Sequence, residues 1–211
     1  MKTTIYIDGF NLFYGSLKGT SFKWLDLNLL FKNLLAAHHE ITSIKYYTAN
    51  VSPRPGDPDA ALRQQIYLKA LTAHTPNVEI HLGHFLSNKV TMPRAVPING
   101  EKFVEVIKTE EKGSDVNLAI NALNDAWLGR YDCAVIVSND SDLSEALRII
   151  KQQLKKRIIL ATPGEAITRP PSFQLKRWAM ATIPITNSAL SRSQLPTRIS
   201  GTNLKKPDAW G

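Results

Sequence analysis

Three short strings bring carboxylates to the ends of apolar, strand-like runs. Thr4-Ile5-Tyr6-Ile7 leads into Asp8, followed by Gly9-Phe10-Asn11, and Ala134-Val135-Ile136-Val137 leads into Ser138-Asn139-Asp140-Ser141-Asp142. A third run, ending near Thr109, passes through Glu110-Glu111-Lys112-Gly113-Ser114 to Asp115. Crowded carboxylates repel one another, so their proton affinities rise unless a cation joins them. An oxygen-only donor set suits Mg²⁺ or Mn²⁺, hard ions that keep water ligands and bridge to phosphate. Such an ion polarises a phosphoryl oxygen or activates a water for attack on it. Each carboxylate alone has a plainer reading: Asp115 and Asp142 as helix caps, Asp8 in an Asx-turn, Asp140 and Asp142 capping one helix together. Whether they converge depends on the elements that carry them.

Those elements alternate. Thr3–Asp8 reads as a strand, followed by a short helix from Phe10 and another over Leu25–His38; Ile41–Val51, β-branched and aromatic, is the second strand. Ser52–Pro58 carries dense turn signals, and Ala60–His74 follows as a helix behind Asp57 or Asp59. Val78–Leu86 and Lys102–Thr109 are predicted as two strands joined by a Pro- and Gly-containing connection around Met92–Gly100. Ser114–Leu128 and Leu143–Leu154 show helical spacing, while Cys133–Val137 is a continuous apolar run of the kind buried on both faces of a sheet. Arg157–Ala161 and Thr182–Ile185 close the series. The alternation predicts an α/β fold with a mainly parallel sheet, whose ligands bind beyond the carboxyl ends of the strands. All three acidic strings would then share one edge. From Ser188 onward, Ser, Pro, Thr, Asn and Lys dominate without periodicity, so a domain over residues 1–187 and a basic tail over 188–211, flexible or loosely docked, are expected.

Composition narrows the function classes. One cysteine, Cys133, excludes a disulfide framework and a Cys-based zinc site. With 43% apolar and 21% charged residues, the chain is composed like a globular protein. No apolar stretch has the length of a membrane span and no signal peptide is recognisable, so a cytoplasmic protein with no membrane partner is expected. The formal net charge of +8 suits a polyanionic partner such as nucleic acid. Other features carry less. His81 and His84 would point to opposite faces of a strand. Arg54, Arg63 and Lys69 fit a backbone contact or a solvated face, and Glu165 a pocket rim or a turn. Tyr14, Phe22 and Trp24 fit base stacking or core packing. Arg169-Pro170-Pro171-Ser172-Phe173 reads as a rigid loop without an assigned role.

Taken together, Tyr6-Ile7-Asp8-Gly9-Phe10-Asn11-Leu12, Lys112-Gly113-Ser114-Asp115-Val116-Asn117-Leu118-Ala119 and Val137-Ser138-Asn139-Asp140-Ser141-Asp142-Leu143 resemble the NYN domain family of the PIN-like nuclease superfamily, alongside LabA-like proteins. The three motifs match in order and spacing. The resemblance implies a three-layer α/β/α sandwich with an acidic pocket that binds Mg²⁺ or Mn²⁺ and hydrolyses phosphodiesters, usually in RNA. It implies Asp8, Asp115 and Asp140 as metal-centred catalytic carboxylates and Asp142 as a fourth ligand or an outer carboxylate. Asn11 and Ser138 would orient Asp8, Asp140 or a water, and Lys112 with the Gly113–Ser114 backbone N–H groups would hold a phosphate. Single-stranded or structured RNA is the expected partner, and a homodimer is admitted. Two departures bear on activity: Asn121 stands where many relatives have an acidic residue, and Asn139 where many have glycine. A catalytically weak RNA-binding module of the same fold is therefore the alternative. A small-molecule phosphatase of the haloacid type is disfavoured, because Asp8-Gly9-Phe10 lacks the second aspartate.

Overall fold

The structure, a computed structural model, describes residues 1–53, 56–164 and 169–210. Arg54 and Glu165, singled out above, lie outside the described residues. β1 (Lys2–Asp8) runs into α1 (Gly9–Leu12), which continues as a π-helical turn over Phe13–Leu17; α2 (Leu27–Leu34), β2 (Glu40–Ala49) and α3 (Ala60–His74) follow. β3 (Val78–Ile98) and β4 (Glu101–Lys112) form a hairpin, succeeded by α4 (Ser114–Trp127), β5 (Cys133–Val137), a 3₁₀ turn (Ser141–Leu143) and α5 (Ser144–Gln152). Then come β6 (Arg157–Pro163), α6 (Phe173–Lys176), β7 (Ala181–Ile185) and α7 (Asn187–Ser191). The strands lie in the order β4-β3-β2-β1-β5-β6-β7, and every neighbouring pair is parallel except β3 with β4. The expected α/β class and mainly parallel sheet are what the chain adopts.

β1 sits where the winding reverses. The strands step outward from β1 through β2 and β3 to β4, and α4 then returns the chain to β5 on the other flank of β1. A crevice opens beyond the strand ends at such a reversal. Asp8 ends β1 and Ser138–Asp140 follow β5, so both flank it. Alternation along the buried β1 sends Ile5 and Ile7 into one apolar cluster with Trp24, Leu30 and Phe31. Tyr6 enters a second cluster, with Leu118, Tyr131, Ile136 and Leu147. Asp125 ties α4 to the sheet by accepting from Tyr6 Oη at 2.7 Å, Lys45 Nζ at 2.7 Å and Arg130 Nη1 at 2.8 Å.

Three expectations are corrected. The helix after Leu25 ends at Leu34, short of His38, because the chain there folds back on the start of β1. The N-terminal ammonium donates to the His38 carbonyl at 2.8 Å, and the His39 ring pairs with Thr3 Oγ at 2.9 Å. The connection expected around Met92–Gly100 is strand instead, closed by Asn99 and Gly100 at φ 52° and 81°, the mirror-image turn that matches strand twist. Beyond Gly83, β3 pairs with β4 alone, an edge position where Pro93 and Pro97 are tolerated.

The third correction concerns the C-terminal segment, which packs into the core rather than lying flexible or loosely docked. Leu190, Leu195 and Ile199 are buried in the core cluster that holds Trp24. Asp26 N–H donates to the Ser193 carbonyl at 2.8 Å, Leu195 N–H to the Trp24 carbonyl at 2.9 Å, and Trp24 Nε1 to the Pro196 carbonyl at 2.8 Å. Leu190 packs from α7, and the apolar residues after it fill a surface left by the α2 region through turns that have no helical or strand period.

Candidate functional site

Asp8 caps α1 and is 3% exposed. Its carboxylate accepts from Asn11 N–H at 2.9 Å, Asn11 Nδ2 at 2.5 Å and Ser138 Oγ at 3.0 Å, which fixes its orientation in the crevice. Burial pushes its pKa up, the Asn11 and Ser138 bonds oppose that rise, and the charge of Asp140 adds to it. Ser138 Oγ also accepts from Asp140 N–H at 3.1 Å, and the Asp140 carboxylate caps the 3₁₀ turn by accepting from Asp142 N–H at 3.0 Å. Asp142 itself is exposed.

Asp115 reaches the same edge by an indirect route. An antiparallel strand confined to the sheet would deliver its C-terminus to the opposite edge. Here the hairpin leaves the sheet after Gly83 and β4 returns only as far as His84, where it pairs at Lys112. Asp115 therefore opens α4 beside Asp8 and Asp140. Its pKa is pushed up to about 6, first by burial and then by the charges of Asp8, Asp140, Glu111 and Asp142. Glu111 is thus a fifth carboxylate in one field. It lies against Gly83, where a Cβ would overlap the Glu111 carboxylate and come within 2.7 Å of the Lys112 carbonyl oxygen.

The residues expected to hold phosphate are engaged differently. Ser114 N–H donates to Glu111 Oε1 at 3.2 Å, and Lys112 Nζ pairs with Glu110 at 3.1 Å. Ser114 Oγ, by contrast, is buried without a hydrogen-bond partner, one residue from Asp115. Asn121 lies against the Tyr47 hydroxyl, which is buried without a well-formed hydrogen bond.

Arg169 supplies a cation that sequence reasoning had not placed at this edge. Its Nη2 donates to Asn11 Oδ1 at 2.5 Å, an oxygen that also accepts from Asn139 N–H at 3.4 Å. Asn139 clamps the same loop: its Nδ2 donates to the Pro170 carbonyl at 3.0 Å and its Oδ1 accepts from Ser172 N–H at 2.6 Å. Asn139 is therefore the tie that holds the Arg169 loop against Asn11, the residue that orients Asp8. Loop, Asn139 and Asn11 are far apart in sequence, so no spacing reveals the link.

A hard divalent cation fits this donor set in chemistry and charge. Five acidic side chains act on one region, burial and those neighbours raise the Asp115 pKa to about 6, and Ser114 Oγ is buried without a partner one residue away. Among the described residues no three side chains form a ready-made ligand set. That arrangement suits Mg²⁺, which keeps waters and is commonly held by one or two carboxylates plus substrate phosphate.

Comparison with known proteins adds the lineage. The NYN domain model matches residues 2–175. A curated protein of Pseudomonas putida, named 6-hydroxy-3-succinoylpyridine 3-monooxygenase HspA, is 35% identical over 237 aligned positions that span 100% of this chain and 75% of that protein. A crystal structure of a protein of unknown function from Vibrio parahaemolyticus superposes with a TM-score of 0.55 at 19% identity, covering 92% of this chain and 96% of that one. This last likeness concerns the fold. No helix among the described residues is long and apolar enough to cross a membrane.

Proposed function

The chain belongs to the NYN domain family, and from that premise we propose that it is a metal-dependent ribonuclease hydrolysing RNA phosphodiesters at the edge formed by Asp8, Asp115 and Asp140. The observation that carries this reading is the convergence of Asp8, Asp115 and Asp140 at the switch point, where burial first and the neighbouring carboxylates second raise the Asp115 pKa to about 6. A bound Mg²⁺ or Mn²⁺ would supply Lewis acidity toward phosphoryl oxygen and a water of lowered pKa. Asp8, Asp115 and Asp140 would hold it, with Asp142 and Glu111 adding negative charge around them. Asn11 and Ser138 keep Asp8 oriented, so the carboxylate need not reorganise when the site fills. Arg169, anchored through Asn11 and backed by Asn139, would meet phosphate oxygens. Water attack on phosphorus breaks the bond to the 3′-oxygen, so the products carry 5′-phosphate and 3′-hydroxyl ends. The net charge of +8 supports a polyanionic substrate. End-labelled RNA incubated with Mg²⁺, Mn²⁺ or EDTA tests this: cleavage needs the metal and leaves those ends. Cleavage that persists in EDTA and leaves 2′,3′-cyclic phosphates sinks it.

One observation favours a second reading. The relative that this chain matches at 35% identity is named as a monooxygenase of a pyridine carrying an acidic side chain. On that reading the chain oxidises a small heteroaromatic acid. Consumption of oxygen with 6-hydroxy-3-succinoylpyridine and a reductant, absent without the protein, is the result it requires.

A further inference from the structure

Beside the acidic edge, Gly9 and Phe10 lead from Asp8 into the wall of a cavity of about 480 Å³, within the range of small-ligand sites. Six aromatic side chains face it: Phe10, Phe13, Tyr14, Tyr46, Tyr67 and Trp210. Trp210 comes from the docked C-terminal segment, its ring centroid 6.3 Å from that of Trp24 and 6.0 Å from that of Tyr67. The segment expected to be a loose tail therefore completes the cavity. Lys18, Lys23 and Arg63 bring positive charge to the lining, and the acid among them, Asp57, is paired with Arg63. The Lys18 ammonium lies 5.2 Å from the Tyr14 ring centroid, at the exposed side. Polar groups deeper in are engaged within the fold. Gln64 bonds the backbone of Ala49 and Val51, and the Tyr67 hydroxyl donates to the Leu25 carbonyl. What faces a ligand is flat aromatic surface with two lysine charges that no acid of the lining balances among the described residues.

We propose that this cavity binds a planar aromatic ring carrying an anionic group, the ring against the aromatic walls and the anion on Lys18 and Lys23. Stacking of this kind accepts any base, because each presents a π-face. In its nucleotide form the proposal rests on the ribonuclease reading: the base next to the scissile phosphate occupies the cavity, the neighbouring phosphate of the strand lies on Lys18 and Lys23, and the scissile phosphate lies toward Asp8. A free aromatic acid offers the same two features without an RNA strand.

The test titrates the full chain, in EDTA so that no metal contributes, with uridine 5′-monophosphate, adenosine 5′-monophosphate, uridine and nicotinate, read by calorimetry. At least one anionic ring is expected to saturate the protein. The Lys18→Ala/Lys23→Ala double variant should weaken its binding by about tenfold or more, the effect of losing charge-assisted hydrogen bonds. Ala60→Trp, which fills the cavity from α3, is a second route to the same loss. Binding of a nucleotide but not nicotinate, with uridine at least about tenfold weaker, supports the nucleotide source; the reverse supports the aromatic acid. No saturable binding by any ring, or binding that the double variant leaves unchanged, overturns the proposal. RNA cleavage by a chain that binds none of them keeps the ribonuclease reading and removes the pocket. Ring binding without cleavage does the opposite.

Discussion

At Asp115 the fold holds a carboxylate where ionisation is disfavoured, by burial and by four acidic neighbours that raise its pKa from 3.8 to about 6. Between those values the folded chain keeps a proton that the unfolded chain has lost, so this group's contribution to stability falls as pH rises through the window. Asp115→Asn should therefore stabilise the metal-free protein at pH 7.5 by roughly 1–2 kcal/mol after solvent screening, while removing activity. Thermal melts in EDTA should show the gap between variant and wild type narrowing toward pH 5. A variant less stable than wild type at pH 7.5 contradicts the account. Arg169 makes a second prediction. Arg169→Ala should slow single-turnover RNA cleavage by about tenfold or more without moving the melting temperature, as befits a lost contact to phosphate. Unchanged cleavage would leave the guanidinium with a structural role alone. Asp8, Asp115, Asp140 and Asp142 were legible from the sequence as acids at strand ends. Glu111 and Arg169 were not: Glu111 needed the hairpin's register, and Arg169 needed a contact to Asn11 that spans much of the chain.

At the scale of elements, α4 has to stay fixed for Asp115 to face Asp8, and Asp125 is what fixes it. Burial raises the Asp125 pKa, but hydrogen bonds from Lys45, Tyr6 and Arg130 outweigh that and hold it below 3.8. Its stabilising effect is thus present at neutral pH and lost as the pH falls through that depressed value. Asp125→Ala leaves the Lys45 ammonium, whose side chain is 11% exposed, without its partner. About 3–5 kcal/mol should be lost, measurable by urea unfolding at pH 7; a loss within about 0.5 kcal/mol, typical of surface changes, would refute the clamp. The strands were legible where pattern and partner agree, as in the apolar runs of β5 and β1, both buried on their two faces. The two strands of the β3–β4 hairpin were legible but its length was not, because Pro93 and Pro97 signal a loop, whereas Asn99-Gly100, the strongest local hairpin signal, sits at its tip.

For the molecule as a whole, the acidic edge and the cavity depend on both chain ends, since β1 delivers Asp8 and the C-terminal segment delivers Trp210. Removing residues 188–211 takes away the buried Leu190, Leu195 and Ile199 and uncovers Trp24. At about 1.5–3 kcal/mol for each buried aliphatic side chain, the truncated chain should be destabilised by several kcal/mol; an unchanged melting temperature would mean the segment is dispensable. Sequence pattern could not show this docking, because irregular turns leave no period to read. The central claim is that the shared carboxylates at the switch point perform RNA hydrolysis. The most direct measurement compares wild type and Asp140→Asn, purified identically, for cleavage of end-labelled RNA in Mn²⁺. The account predicts metal-dependent cutting by the wild type and a loss of about a hundredfold or more in the variant, the scale of removing a group that stabilises the transition state. Equal cutting by both proteins, or none by either while RNA remains bound, would contradict it.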